Sequence, residues 1–161
     1  MQTDKSLLII VIFLAFFTSC NSNKECTFGS PTPIFKVNSE KIVSEKFSKN
    51  GQLSTEEVQF ENGLKLDLHQ SGCEKLEQVF EFKNSEAPKD IQGAISLILQ
   101  HFEYFATINE QYLVYQQWGS AIAQNKLAFK KGNTVELAPN FNASIDFISG
   151  VEPIVVLKIM N

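Results

Sequence analysis

The stretch EEVQFENGLKLDLHQ, residues 56–70, limits the fold more than any other part of the chain. Val58 and Phe60 alternate with polar residues before Asn62-Gly63, and Leu64, Leu66 and Leu68 alternate after it. Alternation with a period of two on both sides of a turn signal reads as a β-hairpin. Register decides whether that hairpin can bury a face. A two-residue Asn-Gly turn pairs Phe60 with Lys65 and Val58 with Asp67, and the two apolar sets then point to opposite sides. A three-residue loop, Glu61-Asn62-Gly63, pairs Phe60 with Leu64 and Val58 with Leu66, which gathers them on one side. Glycine third in the loop suits a type I turn with a G1 bulge, so this register is expected.

Similar turns are expected in FSKNGQL, where Lys49-Asn50-Gly51 joins Phe47 to Leu53, and in LAFKKGNTVEL, where Lys130-Lys131-Gly132 joins Leu127 to Val135. KLEQVFEFK places Leu76, Phe80 and Phe82 on one side of a further strand. The segment Ile154–Met160 is nearly all apolar and rich in β-branched residues, the pattern of a strand buried on both faces. In the middle of the chain the period changes. After Pro88, the residues Ile91, Ile95, Ile98, Phe102 and Phe105 recur at helical spacing. Thr107-Ile108-Asn109-Glu110 has the form of a capping box, and Tyr112, Tyr115, Trp118 and Ile122 continue at helical spacing beyond it. The expected fold is α+β: a hairpin-connected antiparallel sheet of about six to eight strands, packed against one long or two consecutive central helices.

A chain of 161 residues, 43% hydrophobic and 20% charged, suits one domain, which we expect over residues 34–161. The preceding segment NSNKECTFGSPTP is polar and carries Gly29, Pro31 and Pro33, as a tether does; residues 20–33 are assigned to it. Residues 1–19 are different in kind. Eleven uninterrupted apolar residues, Leu7 to Phe17, reach about 16 Å as a helix, roughly half of a bilayer's hydrocarbon core. The run has the proportions of the apolar region of a signal peptide, and the small residues Thr18 and Ser19 follow it.

The motif Phe17-Thr18-Ser19-Cys20 resembles the lipobox of bacterial lipoproteins. The resemblance covers only about the first twenty residues. It implies that Cys20 is alkylated with diacylglycerol, becomes the mature N-terminus and is acylated there, with chains such as palmitate. It also implies a location in the bacterial cell envelope, lipid-anchored on the periplasmic or surface face of a membrane. An ordinary secretory signal cut nearby, or an uncleaved anchor, fits the same apolar run. The mature domain is not identified as a member of a named family. Lipidation of Cys20 would leave Cys26 and Cys73 of the chain's three cysteines. An oxidising compartment lets such a pair bridge, closing a loop of 47 positions and adding about 4 kcal/mol. Two free thiols are the alternative.

Chemistry is sparse. All 14 basic residues are lysine; without arginine, bidentate recognition of phosphate is lost, and no nucleic-acid partner is expected. No zinc-ligand spacing, P-loop, GxSxG, HExxH or EF-hand loop occurs, so neither a metal nor a cofactor is expected and no catalytic residue is assigned. His69 falls on the polar side of the hairpin. His101 lies on a helix stripe with Leu97, Tyr104 and Ile108. The neighbours Glu56 and Glu57 point to opposite faces of a strand and cannot act as an acid-base couple, and Glu61, Asp67, Glu77 and Glu81 read as solvated. The candidate surface for a ligand or partner is the aromatic group Tyr104, Tyr112, Tyr115 and Trp118, since Tyr and Trp join apolar area to a hydrogen-bonding tip. A helical aromatic stripe also serves as core. The function expected is a non-enzymatic envelope lipoprotein, a binding, inhibitor or accessory module with an envelope protein partner. A hydrolase using His101 or His69, and a purely structural lipoprotein, are the alternatives.

Overall fold

The structure is a computed structural model that describes residues 30–35, 39–72, 75–83 and 87–161. Among these residues seven strands form one antiparallel sheet: β1 Ile42–Asn50, β2 Leu53–Phe60, β3 Lys65–Ser71, β4 Glu77–Lys83, β5 Thr134–Ala138, β6 Phe141–Ile148 and β7 Ile154–Met160. Two helices, α1 Ile91–Ala106 and α2 Leu113–Gln124, with a 3-10 turn Glu110–Tyr112 between them, lie between β4 and β5 in the chain. The fold is α+β. The strand order is β1-β2-β3-β4-β7-β6-β5, so two hairpin-linked meanders meet at the β4–β7 pair, and the helices carry the chain to the far edge.

The β2–β3 hairpin has the three-residue register. Val58 faces Leu66, the Phe60 N–H donates to the Leu64 carbonyl at 2.9 Å and the Gly63 N–H to the Phe60 carbonyl at 3.0 Å. Gly63 sits at φ 86°, where a Cβ would be strained. The β1–β2 turn corrects the expected loop. Pairing runs through Asn50 and Leu53, leaving Gly51-Gln52 as a two-residue turn. The cause is parity: Val58 and Phe60 commit even-numbered positions of β2 to the core, so Phe47 reaches that side only opposite Glu56. Leu53 is left 60% exposed.

The expected pairing of Leu127 with Val135 across Lys130-Lys131-Gly132 does not form. β5 pairs instead with β6 through Pro139-Asn140, with Asn140 at φ 66°. The Asn133 side chain closes a compact turn by accepting from the Lys130 N–H and donating to the Ala128 carbonyl. Phe129 is buried there while Leu127 is exposed. Thr107 is likewise not a helix start. Its hydroxyl donates to the Tyr104 carbonyl at the end of α1, and Asn109 takes the Gln111 N–H instead. The cap of α1 is Asp90, whose carboxylate accepts the Gly93 N–H at 2.8 Å.

Strand β7 buries Val155, Leu157 and Ile159 on its inner side, but its outer side is only half-buried, because no layer covers that face among the described residues. The inner side meets α1 through Ile95, Ile98, Phe102 and Phe105, and α2 through Ile122. Phe102 lies 5.7 Å from Phe80 and 5.3 Å from Tyr115. Each such side chain contributes about 1.5–3 kcal/mol by burial, more than propensity gives so short a helix. No helix among the described residues is long and apolar enough to cross a membrane.

Candidate functional site

The helical spacing of Tyr112, Tyr115 and Trp118 sets three aromatic side chains along one open groove of about 510 Å³. The volume is that of a small-ligand or peptide-side-chain site. Tyr112 and Tyr115 form its floor and are 3% and 4% exposed. Trp118, half-buried, stands edge-on to Phe141 of β6 with ring centroids 5.3 Å apart. Leu76, just before β4, and Gln78 within it line the groove together with Gln111 and Val114. The last wall is Pro33 and Ile34. No charged side chain lines the groove among the described residues, so it presents rings, alkyl groups and two carboxamides.

Residues 30–35 cross the sheet as a strap. Phe35 is fully buried and touches Phe60, Phe105, Tyr112 and Tyr115, with centroids 5.0 to 6.2 Å away. The polar grip comes chiefly from Glu56, which is 0% exposed. Its two oxygens accept the Ile34 N–H at 2.8 Å and the Phe35 N–H at 2.6 Å. Burial lifts the Glu56 carboxyl to about 7, opposed by those two N–H groups and reinforced by Glu45. Tyr112 donates its hydroxyl to the Ile34 carbonyl at 3.1 Å, Gln70 donates to the Thr32 carbonyl at 3.2 Å, and Lys49 meets Ser30. In the sequence Glu56 stands out only as the neighbour of Glu57. Its even parity with Val58 and Phe60 already placed it on the core side.

The four aromatic residues divide. Tyr112, Tyr115 and Trp118 converge on the groove. Tyr104 lies apart, edge-on to Phe60 at 5.8 Å with the Lys41 ammonium 5.9 Å above its ring. Burial pushes the Tyr115 hydroxyl well above its usual range, so it stays protonated. The two histidines sit on opposite sides of the sheet. His101 of α1 stacks on the inner residue Phe82 at 4.9 Å, and burial lowers it to about 4. His69 is on the outer side, with Nδ1 3.0 Å from the Thr55 hydroxyl and Nε2 3.9 Å from Glu81. They share no cleft.

Thr55, His69 and Glu81 thus form a hydroxyl–imidazole–carboxylate line across β2, β3 and β4. Acyl transfer also needs N–H donors aimed at the developing oxyanion. Here the three residues sit inside paired strands, whose N–H groups serve the ladder. The same outer face carries Lys83–Asp67 at 2.6 Å and Lys158–Glu77 at 2.8 Å, partly exposed ion pairs of small energetic weight. Among the described residues no three His, Cys, Asp or Glu side chains converge as a cation cage. Cys20, Cys26 and Cys73 lie outside the described residues. No family model, no curated protein and no solved structure matches the chain.

Proposed function

We propose that this protein is a lipid-anchored lipoprotein of the bacterial cell envelope that binds an uncharged segment of another envelope protein, without catalysis, in the groove that its strap walls on one side. The observation that carries the reading is a groove walled by Trp118, Val114 and Ile34 over buried tyrosines, with Gln78 and Gln111 at its rim. Aromatic side chains of this kind dominate binding energy at protein interfaces. A carboxamide both donates and accepts, as a peptide group does, and a lining without charge favours a segment without charge. Ser30 follows Cys20 by ten positions, which reach at most about 36 Å and keep the groove near the membrane to which Cys20 is anchored. A Cys26–Cys73 bridge belongs to the same reading. Ser30, four positions after Cys26, shares a small pocket with Ser71 and Gly72, which precede Cys73, and this proximity supports the pairing.

The test is capture of a stoichiometric partner by the native lipoprotein in its envelope. Binding should fall at least about tenfold in Trp118→Ala, roughly the loss of an aromatic interface anchor, with the circular dichroism unchanged. Equal capture by the variant would remove the groove from the function. Mass spectrometry of the mature N-terminus should show acyl chains on Cys20, and an unmodified Met1 start would remove the anchor. The hydrolase alternative has the Thr55–His69–Glu81 line in its favour, and a turnover abolished by His69→Ala would replace the binding reading.

A further inference from the structure

The strap is held in an unusual way. Among the described residues its hydrogen bonds come from side chains of the sheet and the 3-10 turn, with none from a neighbouring strand's backbone. A segment attached like this leaves without unzipping a ladder, by drawing Phe35 out from between Phe60, Phe105, Tyr112 and Tyr115. Its centre, Ile34-Phe35, presents two adjacent N–H groups to one carboxylate. A glutamine there could accept from only one of them and would turn its own NH₂ toward the other. The strap thus covers this carboxyl on a strand face whose next members are Val58 and Phe60, where burial disfavours its charge more than the two N–H groups favour it.

We propose that the strap, residues 30–35, is a releasable wall of the groove, with Glu56 as the latch that makes its release sensitive to pH. The regulatory meaning rests on the groove being the binding site; the latch itself does not. When the strap is down, Glu56 is sealed from water and faces Glu45 of β1, Tyr115 of α2 and Tyr112 of the 3-10 turn, with Lys49 of β1 at the strap's end. When it lifts, the carboxyl meets water and its proton affinity falls. The closed state therefore binds the proton more tightly, and linkage then favours opening as pH rises through about 7. Because Pro33 and Ile34 are a groove wall, the same step opens the groove beside Trp118.

Amide hydrogen exchange on the full-length protein in detergent micelles tests this from pH 5.5 to 8.5, with each rate divided by its intrinsic value. Protection of the Ile34 and Phe35 N–H groups should fall about tenfold or more relative to Leu157, as a shift of one pK unit between states requires. Acrylamide quenching of Trp118, the chain's single tryptophan, should rise with the same midpoint. Glu56→Gln should abolish the pH dependence. If that variant does not fold, Tyr112→Phe should lower strap protection several-fold at every pH and leave the midpoint in place. Strap protection that is flat with pH, or that changes only together with Leu157, overturns the latch. A strap that titrates while Trp118 quenching stays constant overturns its role as a groove wall. If both titrate yet Trp118→Ala still captures the partner, the latch stands and the groove's binding role falls.

Discussion

One face of one sheet is covered in two different ways. Over β4, β7 and β6 lie two helices, and the residues pointing at them are Phe80, Phe82, Val155, Leu157, Ala143 and Ile145, all fully buried and all apolar. Over β2 and β3 the cover includes a six-residue strap, and the inner face there includes Ser54, Glu56 and Gln70, each no more than 7% exposed. The Ser54 hydroxyl and one Glu45 oxygen have no hydrogen-bond partner among the described residues. A helix satisfies its own backbone and asks its neighbour only for apolar area. An extended strap brings unpaired N–H and C=O groups that something must meet. The polar residues on the inner face of β2 and β3 are the consequence, and this half is expected to be the looser of the two.

Removing one ring from the helical half should show the largest effect. Phe102→Ala should cost about 3–5 kcal/mol in urea-induced unfolding, since a buried phenylalanine leaves a cavity that packed neighbours cannot fill. A loss below about 1 kcal/mol would mean that this half is no better packed than the other, given the usual range for such sites. Next in size is the pH response. Glu56 binds its proton up to about pH 7 in the folded state against 4.5 for the free group. Between those values the folded state holds more protons than the unfolded one, so stability falls as pH rises. The contribution is fully present below pH 4.5 and lost above about 7, amounting to about 3 kcal/mol. Glu56→Gln should flatten that window. A wild-type stability that instead rises through it would reverse the assignment. Phe35→Ala should cost less than Phe102→Ala, about 2 kcal/mol, despite equal burial. The strap can open alone, and local opening caps what its ring adds to global stability. Equal losses for the two variants would erase the distinction.

The helical half was the more legible in the sequence, for the same physical reason. Ile95, Ile98, Phe102 and Phe105 repeat at the helix period and Phe80 and Phe82 at the strand period, so pattern alone places them. The 61–63 loop was also readable, because only one register puts Val58 and Leu66 together. Leu127 and Phe129 alternate like a strand, yet the Asn133 side chain holds that segment in a turn, and apolar spacing carries no information about such a bond. The strap was beyond pattern reading. The partners Ile34 and Tyr112 are 78 positions apart, and a short segment with two prolines reads as tether whether or not it docks. Glu56 was within reach, through its parity with Val58, but an acid on a strand is assigned to water by default.

The outer face supplies the smallest prediction and the control for the others. Lys83–Asp67 joins β4 to β3 in the strap half, and Lys158–Glu77 joins β7 to β4 in the helical half. Both pairs are partly exposed, with side chains 21% to 39% accessible. The bond to Asp67 raises the Lys83 ammonium above its usual range, but solvent screens what that is worth. Asp67→Asn and Glu77→Gln should each cost less than about 1 kcal/mol, and both losses should fade near 1 M salt, where the screening length is about 3 Å. If the halves differ only in what covers their inner face, these two variants must behave alike. A loss above about 2 kcal/mol in one of them, beyond the range of surface pairs, would mean that the outer face also distinguishes the halves. Any greater softness of β2 and β3 would then need a cause other than the strap.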